Sequence, residues 1–194
     1  LLAGDVITGV DGQSILGMNA NDTSAMIKGE EGTQVVLTVR RGEQSLQITV
    51  KRERIKTPVA TATLLEDGIG LIKIANFNTN CYNETAEAIR QLKEEGATKL
   101  IFDVRNNPGG YADELVKLLD YLLPEGDLFH SEDYKGNISV DKSDAKHLDI
   151  PMAVIVNGSS YSAAEFFAAA LREYDAAVTI GEKTSGKGHF QNTF

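Results

Sequence analysis

The sequence predicts an α/β fold, a largely parallel sheet with flanking helices, preceded by a small β-rich unit. Three observations carry this. From Gly68 onward, short apolar runs alternate with stretches of helical periodicity, and repeated β-α-β order makes a mostly parallel sheet covered by helices. Residues 1 to 53 instead show strand alternation with one short helix. Between the two patterns lies a connector containing Thr57-Pro58, where proline disfavours helix in the residue before it.

In the first unit, Val6-Ile7 and Val10 precede the turn pair Asp11-Gly12, and Asn21 to Lys28 reads as a short helix capped by Asn21 or Asp22. Val35, Leu37 and Val39 alternate, Arg40-Arg41-Gly42-Glu43 turns the chain, and Leu46, Ile48 and Val50 alternate again, a hairpin with one buried face. In the second unit Ile69 to Ile74 and Leu100 to Val104 read as strands. Asn83 to Glu95 reads as a helix with Ala88, Ile89 and Leu92 inward and Gly96 ending it. Asp113 to Leu123 is a second helix, with leucines on one face and two acids at its positive end. Met152 to Val156, a helix after Ser162, and Ala176 to Ile180 continue the alternation. Lys135 to Asp149 is polar, with lysines and aspartates interspersed, and is expected to be a surface loop.

Composition narrows the function. The 194 residues allow one large domain or a domain with a smaller partner, and 42% hydrophobic with 24% charged residues describes an ordinary globular protein. A net charge of −9 argues against nucleic acid or an anionic membrane as partner. No apolar run approaches the roughly 20 residues that span a bilayer. Leu1-Leu2-Ala3-Gly4-Asp5 opens in mid-domain without a signal peptide, so the chain is expected to be a fragment. One cysteine, Cys81, excludes an internal disulfide and lies in a polar stretch, Asn76 to Asn83, where it is expected to be an incidental thiol. His130, His147 and His189 lack zinc-ligand spacing, so neither metal nor other cofactor is expected.

The chemistry-bearing stretch is 151 to 191. A buried strand, the turn Asn157-Gly158-Ser159-Ser160, and a helix with Ala163, Phe166, Phe167, Ala170 and Leu171 on one face put Ser162 at a helix start. Unpaired N–H groups and positive potential there suit an oxyanion forming beside a serine. The same residues spell a plainer motif: Ser162 and Glu165 form S-x-x-E, a capping box, and Ser159 and Ser160 would cap equally well. Downstream, Lys187 stands between two glycines, and in an extended chain Lys187, His189 and Gln191 share one side. A lysine acts as base only when neutral, which needs burial or cationic neighbours; otherwise it is a solvated loop residue.

Ser159-Ser160-Tyr161-Ser162-Ala163-Ala164-Glu165, followed by Gly181-Glu182-Lys183-Thr184-Ser185-Gly186-Lys187-Gly188 and Gln191, resembles the C-terminal processing (tail-specific) peptidases, Ser-Lys proteases with a PDZ domain. Tyr161 and Ala164 depart from the commonest residues of that pattern. Asp103-Val104-Arg105-Asn106-Asn107-Pro108-Gly109-Gly110, by itself a plain Pro-Gly-Gly turn, resembles the family's D-x-R-x-N-x-G-G motif. Leu2 to Ile7 with Val10-Asp11-Gly12 resembles the second half of a PDZ domain, whose carboxylate-binding loop would lie upstream of Leu1.

The resemblance implies a crotonase-like protease core. It makes residues 1–55 a partial PDZ domain, 56–67 a linker and 68–194 a peptidase core, with its C-terminal part expected to be truncated. It implies Ser162 as nucleophile, Lys187 as general base, Gln191 as the group orienting the lysine, and the N–H groups of Gly110 and Ala163 as oxyanion donors. The implied substrates are proteins or peptides with accessible C-termini, met outside the cytoplasm by an enzyme that is secreted or anchored through a segment absent here; homo-oligomerisation is left open. Three alternatives stay open: a peptide-binding protein without catalysis, a non-proteolytic crotonase-like acyl-transfer enzyme, and a Ser-His site using His189.

Overall fold

The computed structural model describes residues 1–54, 57–189 and 191. The chain forms two compact units, Leu1–Thr57 and Pro58–Phe194. In the first, β1 (Val6–Val10), β2 (Gln13–Ser14), β3 (Gln34–Arg41) and β4 (Gln44–Lys51) make an antiparallel sheet of order β2-β1-β3-β4, with α1 (Ala20–Ile27) beside it. The predicted hairpin forms as β3 and β4, with Leu37 opposite Ile48 and Val39 opposite Leu46. Its turn is the two-residue Gly42-Glu43, and Gly42 takes the positive φ, 60°, that such a turn requires. Val10, Val35, Leu37 and Val39 form the small core, packed by Ile7, Ile15, Met26, Ile27, Ile48 and Val50. The cap of α1 is Asn19, two residues before the expected start, its side chain accepting the Asp22 N–H at 2.9 Å.

The second unit is the sheet that positions the site. Its elements are β5 (Ala60–Leu64), β6 (Ile69–Ile74), α2 (Cys81–Glu94), β7 (Lys99–Asp103), α3 (Ala112–Leu122), β8 (Gly126–Glu132), β9 (Ile138–Ser143), β10 (Met152–Val156), α4 (Ala163–Glu173) and β11 (Ala177–Gly181). The sheet order is β11-β10-β7-β6-β5; β6, β7, β10 and β11 run parallel, and β5 is an antiparallel edge. Each helix buries one stripe: Ala88, Ile89 and Leu92 on α2, Leu115, Leu118, Leu119 and Leu122 on α3, Ala163, Ala164, Phe167, Ala168 and Leu171 on α4. These meet Ile72, Ile74, Leu100, Phe102, Val154 and Val156 in one continuous core. Gly96, at φ 101°, ends α2 as expected.

Four expectations need correction. The stretch expected as a linker, 56–67, contains β5, which pairs with β6 along its whole length; residue 56 lies outside the described residues. An edge strand needs only one paired side, so Ala-Thr-Ala-Thr carries no long apolar run, and the Glu84 carboxylate fixes its start by accepting the N–H groups of Val59 and Ala60. The stretch 135–149, expected as a loop, contains β9, which pairs with β8. That hairpin strand is exposed for most of its length, so its sequence is polar while its backbone is paired. Cys81 does not lie in a polar loop: it opens α2 and is wholly buried, and burial pushes its thiol up to about 12. The α4 stripe is also rotated, since Phe166 and Ala170 are only half-buried and Ala164 and Ala168 take their places inside.

Candidate active site

The loops leaving the carboxyl ends of β6, β7, β10 and β11 lie side by side because the strands do, and an open parallel sheet puts its ligand site at those ends. Asn107 joins three of the segments. It is fully buried; its Nδ2 donates to the Ile74 carbonyl at 2.9 Å, its Oδ1 accepts the Gly109 N–H at 2.8 Å, and its carbonyl accepts the Tyr161 N–H at 2.9 Å. Asn106 and Asn157 reinforce the link, each side-chain carbonyl accepting at 3.0 Å from the other residue. Asp103, at the end of β7, is held by a two-pronged Arg105 pair that, with its backbone N–H bond, keeps the carboxyl below the usual range despite burial.

The glycines that follow are required by close approach. A Cβ on Gly109 would lie 2.8 Å from the Tyr161 carbonyl and 2.9 Å from both Ala163 N and Ser162 Cβ, so only glycine fits against the serine turn. Gly110, at φ 153°, is flanked by two bonds: Phe77 N–H to the Gly109 carbonyl and Tyr111 N–H to the Phe77 carbonyl, both 2.8 Å. Among the described residues the Gly110 N–H has no acceptor, and neither has the N–H of Ala163, first in α4.

Of the three neighbouring serines, Ser162 is the one that lines the cavity shared with Gly110 and Ala163, while Ser159 is exposed away from it. Ser160 is fully buried, its Oγ donating to the Val104 carbonyl at 2.8 Å and accepting the Asn157 N–H at 3.0 Å. Ser162 sits at φ 53°, ψ −116°, outside the regions a side chain ordinarily adopts, and such strain clusters at functional sites. Ser162 and Glu165 occupy the two capping-box positions, and the half that forms as a hydrogen bond is the Glu165 carboxylate accepting the Ser162 N–H at 2.8 Å. The Glu165 N–H donates to the Ser162 carbonyl at 2.9 Å, and the Ser162 side chain faces the same N–H in the capping box.

Glu165 is the residue sequence reasoning read only as a cap. Its carboxylate also accepts the N–H of Gly186 at 2.6 Å, the N–H of Lys187 at 2.9 Å and the Ser185 hydroxyl at 3.0 Å. One side chain thus holds both the serine turn and the lysine loop. Burial pushes its pKa up, but bonds from Gly186, Thr184, Ser162 and Lys187 outweigh that and hold it below the ordinary glutamate range. The S-x-x-E spelling marked the position, but nothing in it pointed to a second loop.

A pocket of about 300 Å³ opens beside Ser162, walled by Gly110, Tyr111, Leu115, Phe129, Ala163 and Phe166, with Asp113, His189 and Gln191 at its polar side. The structure therefore brings Ser162, Gly110, Ala163, Gln191 and His189 to one cavity. Lys187 is not among the lining residues: its Nζ lies 5.1 Å from the centre of the Tyr161 ring, and among the described residues it bonds neither Ser162 nor Gln191. Residues 183–189 form no strand, so the shared face expected of Lys187, His189 and Gln191 does not arise from extended alternation. Among the described residues no cluster of His, Cys, Asp and Glu is arranged to hold a metal ion, and no helix is long and apolar enough to cross a membrane.

Comparison with known proteins finds relatives of this chain. A "Probable CtpA-like serine protease" of Staphylococcus aureus (strain bovine RF122 / ET3-1) is 36% identical over 196 residues, covering 97% of this chain and 39% of that protein. One from Staphylococcus haemolyticus (strain JCSC1435) is 33% identical over 193 residues, with the same coverage. The chain thus spans well under half the length of these relatives. Among solved structures, the photosystem II D1 C-terminal processing protease superposes with a TM-score of 0.63 at 29% identity, over 99% of this chain and 54% of that one. A PDZ domain model matches residues 1–41. The peptidase family S41 model matches residues 68–194, the span that holds the parallel sheet, the glycine loop and the serine turn, so the chain belongs to peptidase family S41.

Proposed function

We propose that this chain carries the catalytic site of a serine-type peptidase that cleaves proteins near their C-terminal tails through an acyl-enzyme. The observation that carries this is the surroundings of Ser162: a strained turn at a helix start, lining one cavity with two residues, Gly110 and Ala163, whose N–H groups have no acceptor among the described residues. Neutral Lys187 takes the proton of Ser162 Oγ, which attacks the scissile carbonyl carbon. The N–H groups of Gly110 and Ala163 hold the oxyanion. As the C–N bond breaks, the lysine returns the proton to the leaving amine; Lys187 then takes a proton from water, which attacks the ester carbonyl, and gives it to Ser162 Oγ as the ester C–O bond breaks. Gln191 would fix the lysine head once that head turns toward Ser162.

The name of the D1 C-terminal processing protease and the PDZ match support tails as the substrate class. On this reading the enzyme meets them outside the cytoplasm. The apolar walls of the pocket suit an uncharged side chain next to the cleaved bond. His189 favours a second reading, because it lines the pocket beside Ser162 whereas Lys187 does not. Lysine is preferred because Glu165 ties its backbone directly to the N–H of Ser162.

Peptide cleavage by the full-length protein separates the readings. Ser162→Ala is expected to abolish turnover, Lys187→Arg to be dead because a guanidinium does not deprotonate in the working range, and His189→Ala to remain active. Activity in Lys187→Arg together with loss in His189→Ala makes histidine the base. Activity in Ser162→Ala removes the serine mechanism altogether.

A further inference from the structure

We propose that Tyr161 is a positioning residue that holds the Lys187 ammonium off Ser162, so that the resting site keeps its base parked on an aromatic face. The contact is specific. The Lys187 Nζ lies 5.1 Å from the ring centre, within the range over which an ammonium is attracted to the face of a tyrosine. Among the described residues no carboxylate or carbonyl competes for that Nζ, and the lysine is otherwise tethered by its backbone N–H on Glu165. The tether fixes where the side chain starts and leaves its four-carbon stem free to swing. Tyr161 is equally well placed to act on the serine: it is the residue immediately before Ser162, its N–H is anchored on the Asn107 carbonyl at 2.9 Å, and it is 41% exposed.

The ring discriminates between the two forms of the lysine. The charged form is attracted to the ring quadrupole and could only donate to the serine hydroxyl, which leaves that hydroxyl unactivated; the neutral form loses the ring attraction and can accept from Ser162 Oγ. Parking therefore competes with catalysis, and a substrate strand entering beside Ser162 would have to shift the balance. The expected consequence is a brake. Removing the aromatic face should raise turnover by roughly 2- to 10-fold, the factor that a partly exposed contact of this kind converts to, with substrate binding little changed. This rests on Lys187 being the base.

The test compares Tyr161→Leu, Tyr161→Phe and Lys187→Ala in the full-length protein at neutral pH, with kcat and KM measured separately on one peptide substrate. Tyr161→Leu, which keeps bulk without a π-face, is expected to raise kcat and hold KM; Tyr161→Phe, which restores the face, is expected to return kcat to the slow value. A dead Lys187→Ala with Tyr161→Leu no faster than wild type leaves the base in place and overturns the brake. A fully active Lys187→Ala overturns both. A direct readout guards against a variant that folds poorly. In wild-type protein carrying ¹³C-labelled lysine, the Lys187 ε-methylene protons should be shifted upfield by the ring current. Resonances at the position of a solvated lysine would overturn the contact itself.

Discussion

At the scale of single residues, the site turns on which hydroxyl reaches the pocket. Ser159, Ser160 and Ser162 are indistinguishable as letters, and all three satisfy the rules for a helix cap. The structure separates them by position: Ser160 is buried and bonded, Ser159 is exposed, and Ser162 lines the pocket. Ser160 stitches the end of β7 to the turn after β10, so Ser160→Ala leaves the Asn157 N–H and the Val104 carbonyl without that partner. Its expected cost is roughly 1–3 kcal/mol of stability in a urea titration, whereas exposed Ser159→Ala should lie near wild type. Glu165 supplies a second residue-scale prediction. Its lowered pKa means that it stabilises the fold fully above the ordinary value of 4.5 and loses that contribution as pH falls through its folded value. Glu165→Gln presents amide hydrogens to donors and should loosen the lysine loop. At pH 7 it is expected to be less stable and less active than wild type, and the stability gap should close as pH is taken well below 4.5. A gap that stays constant with pH would show that the carboxylate charge is not what holds the loop.

At the scale of elements, strands and helices carrying the core were legible because the core dictates their periodicity. Met152 to Val156 and the leucines of α3 appear where the spacing puts them. What escaped was structure not paid for by apolar burial: β5 and β9 are held by backbone pairing on a polar or small-residue strand, and a hydrophobicity pattern is silent about such strands. Helix rotation was also invisible. Phe166 and Phe167 both fit a helical stripe in the sequence, yet they have different jobs. Phe167 is fully buried, with ring centres 5.6 Å from Phe77 and 5.4 Å from Phe102, while Phe166 lines the pocket and packs 4.8 Å from Phe129. Phe167→Ala is therefore expected to cost about 3–5 kcal/mol of stability. Phe166→Ala should cost less and enlarge the pocket, shifting cleavage toward bulkier side chains at the cut bond. Thermal melts and a peptide library read the two effects; a Phe166→Ala protein with unchanged residue preference would remove that pocket from recognition.

At the scale of the whole chain, three sequence blocks far apart become neighbours because β7, β10 and β11 follow one another across a parallel sheet. The blocks themselves were readable as motifs. Their mutual geometry was not: nothing in the spelling of G-K-G says that the lysine head lies over Tyr161, or that one carboxylate joins the serine turn to the lysine loop. The same convergence leaves no room for a side chain at the glycine pair. A Cβ on Gly110 would fall on the Phe77 carbonyl, so Gly110→Val should lose stability and turnover together, rather than turnover alone. A stable Gly110→Val protein with normal turnover would show that the β6 and β7 loops are not in register at the site.

The most direct measurement is the identity of the acylated residue. The full-length protein, incubated with a serine-reactive acylating inhibitor and digested, should carry one adduct, on Ser162, and the Lys187→Ala variant should acquire it far more slowly. An adduct on Ser159 or Ser160, or complete inhibition while Ser162 stays unmodified, would contradict the assignment of the nucleophile on which everything else at this site depends.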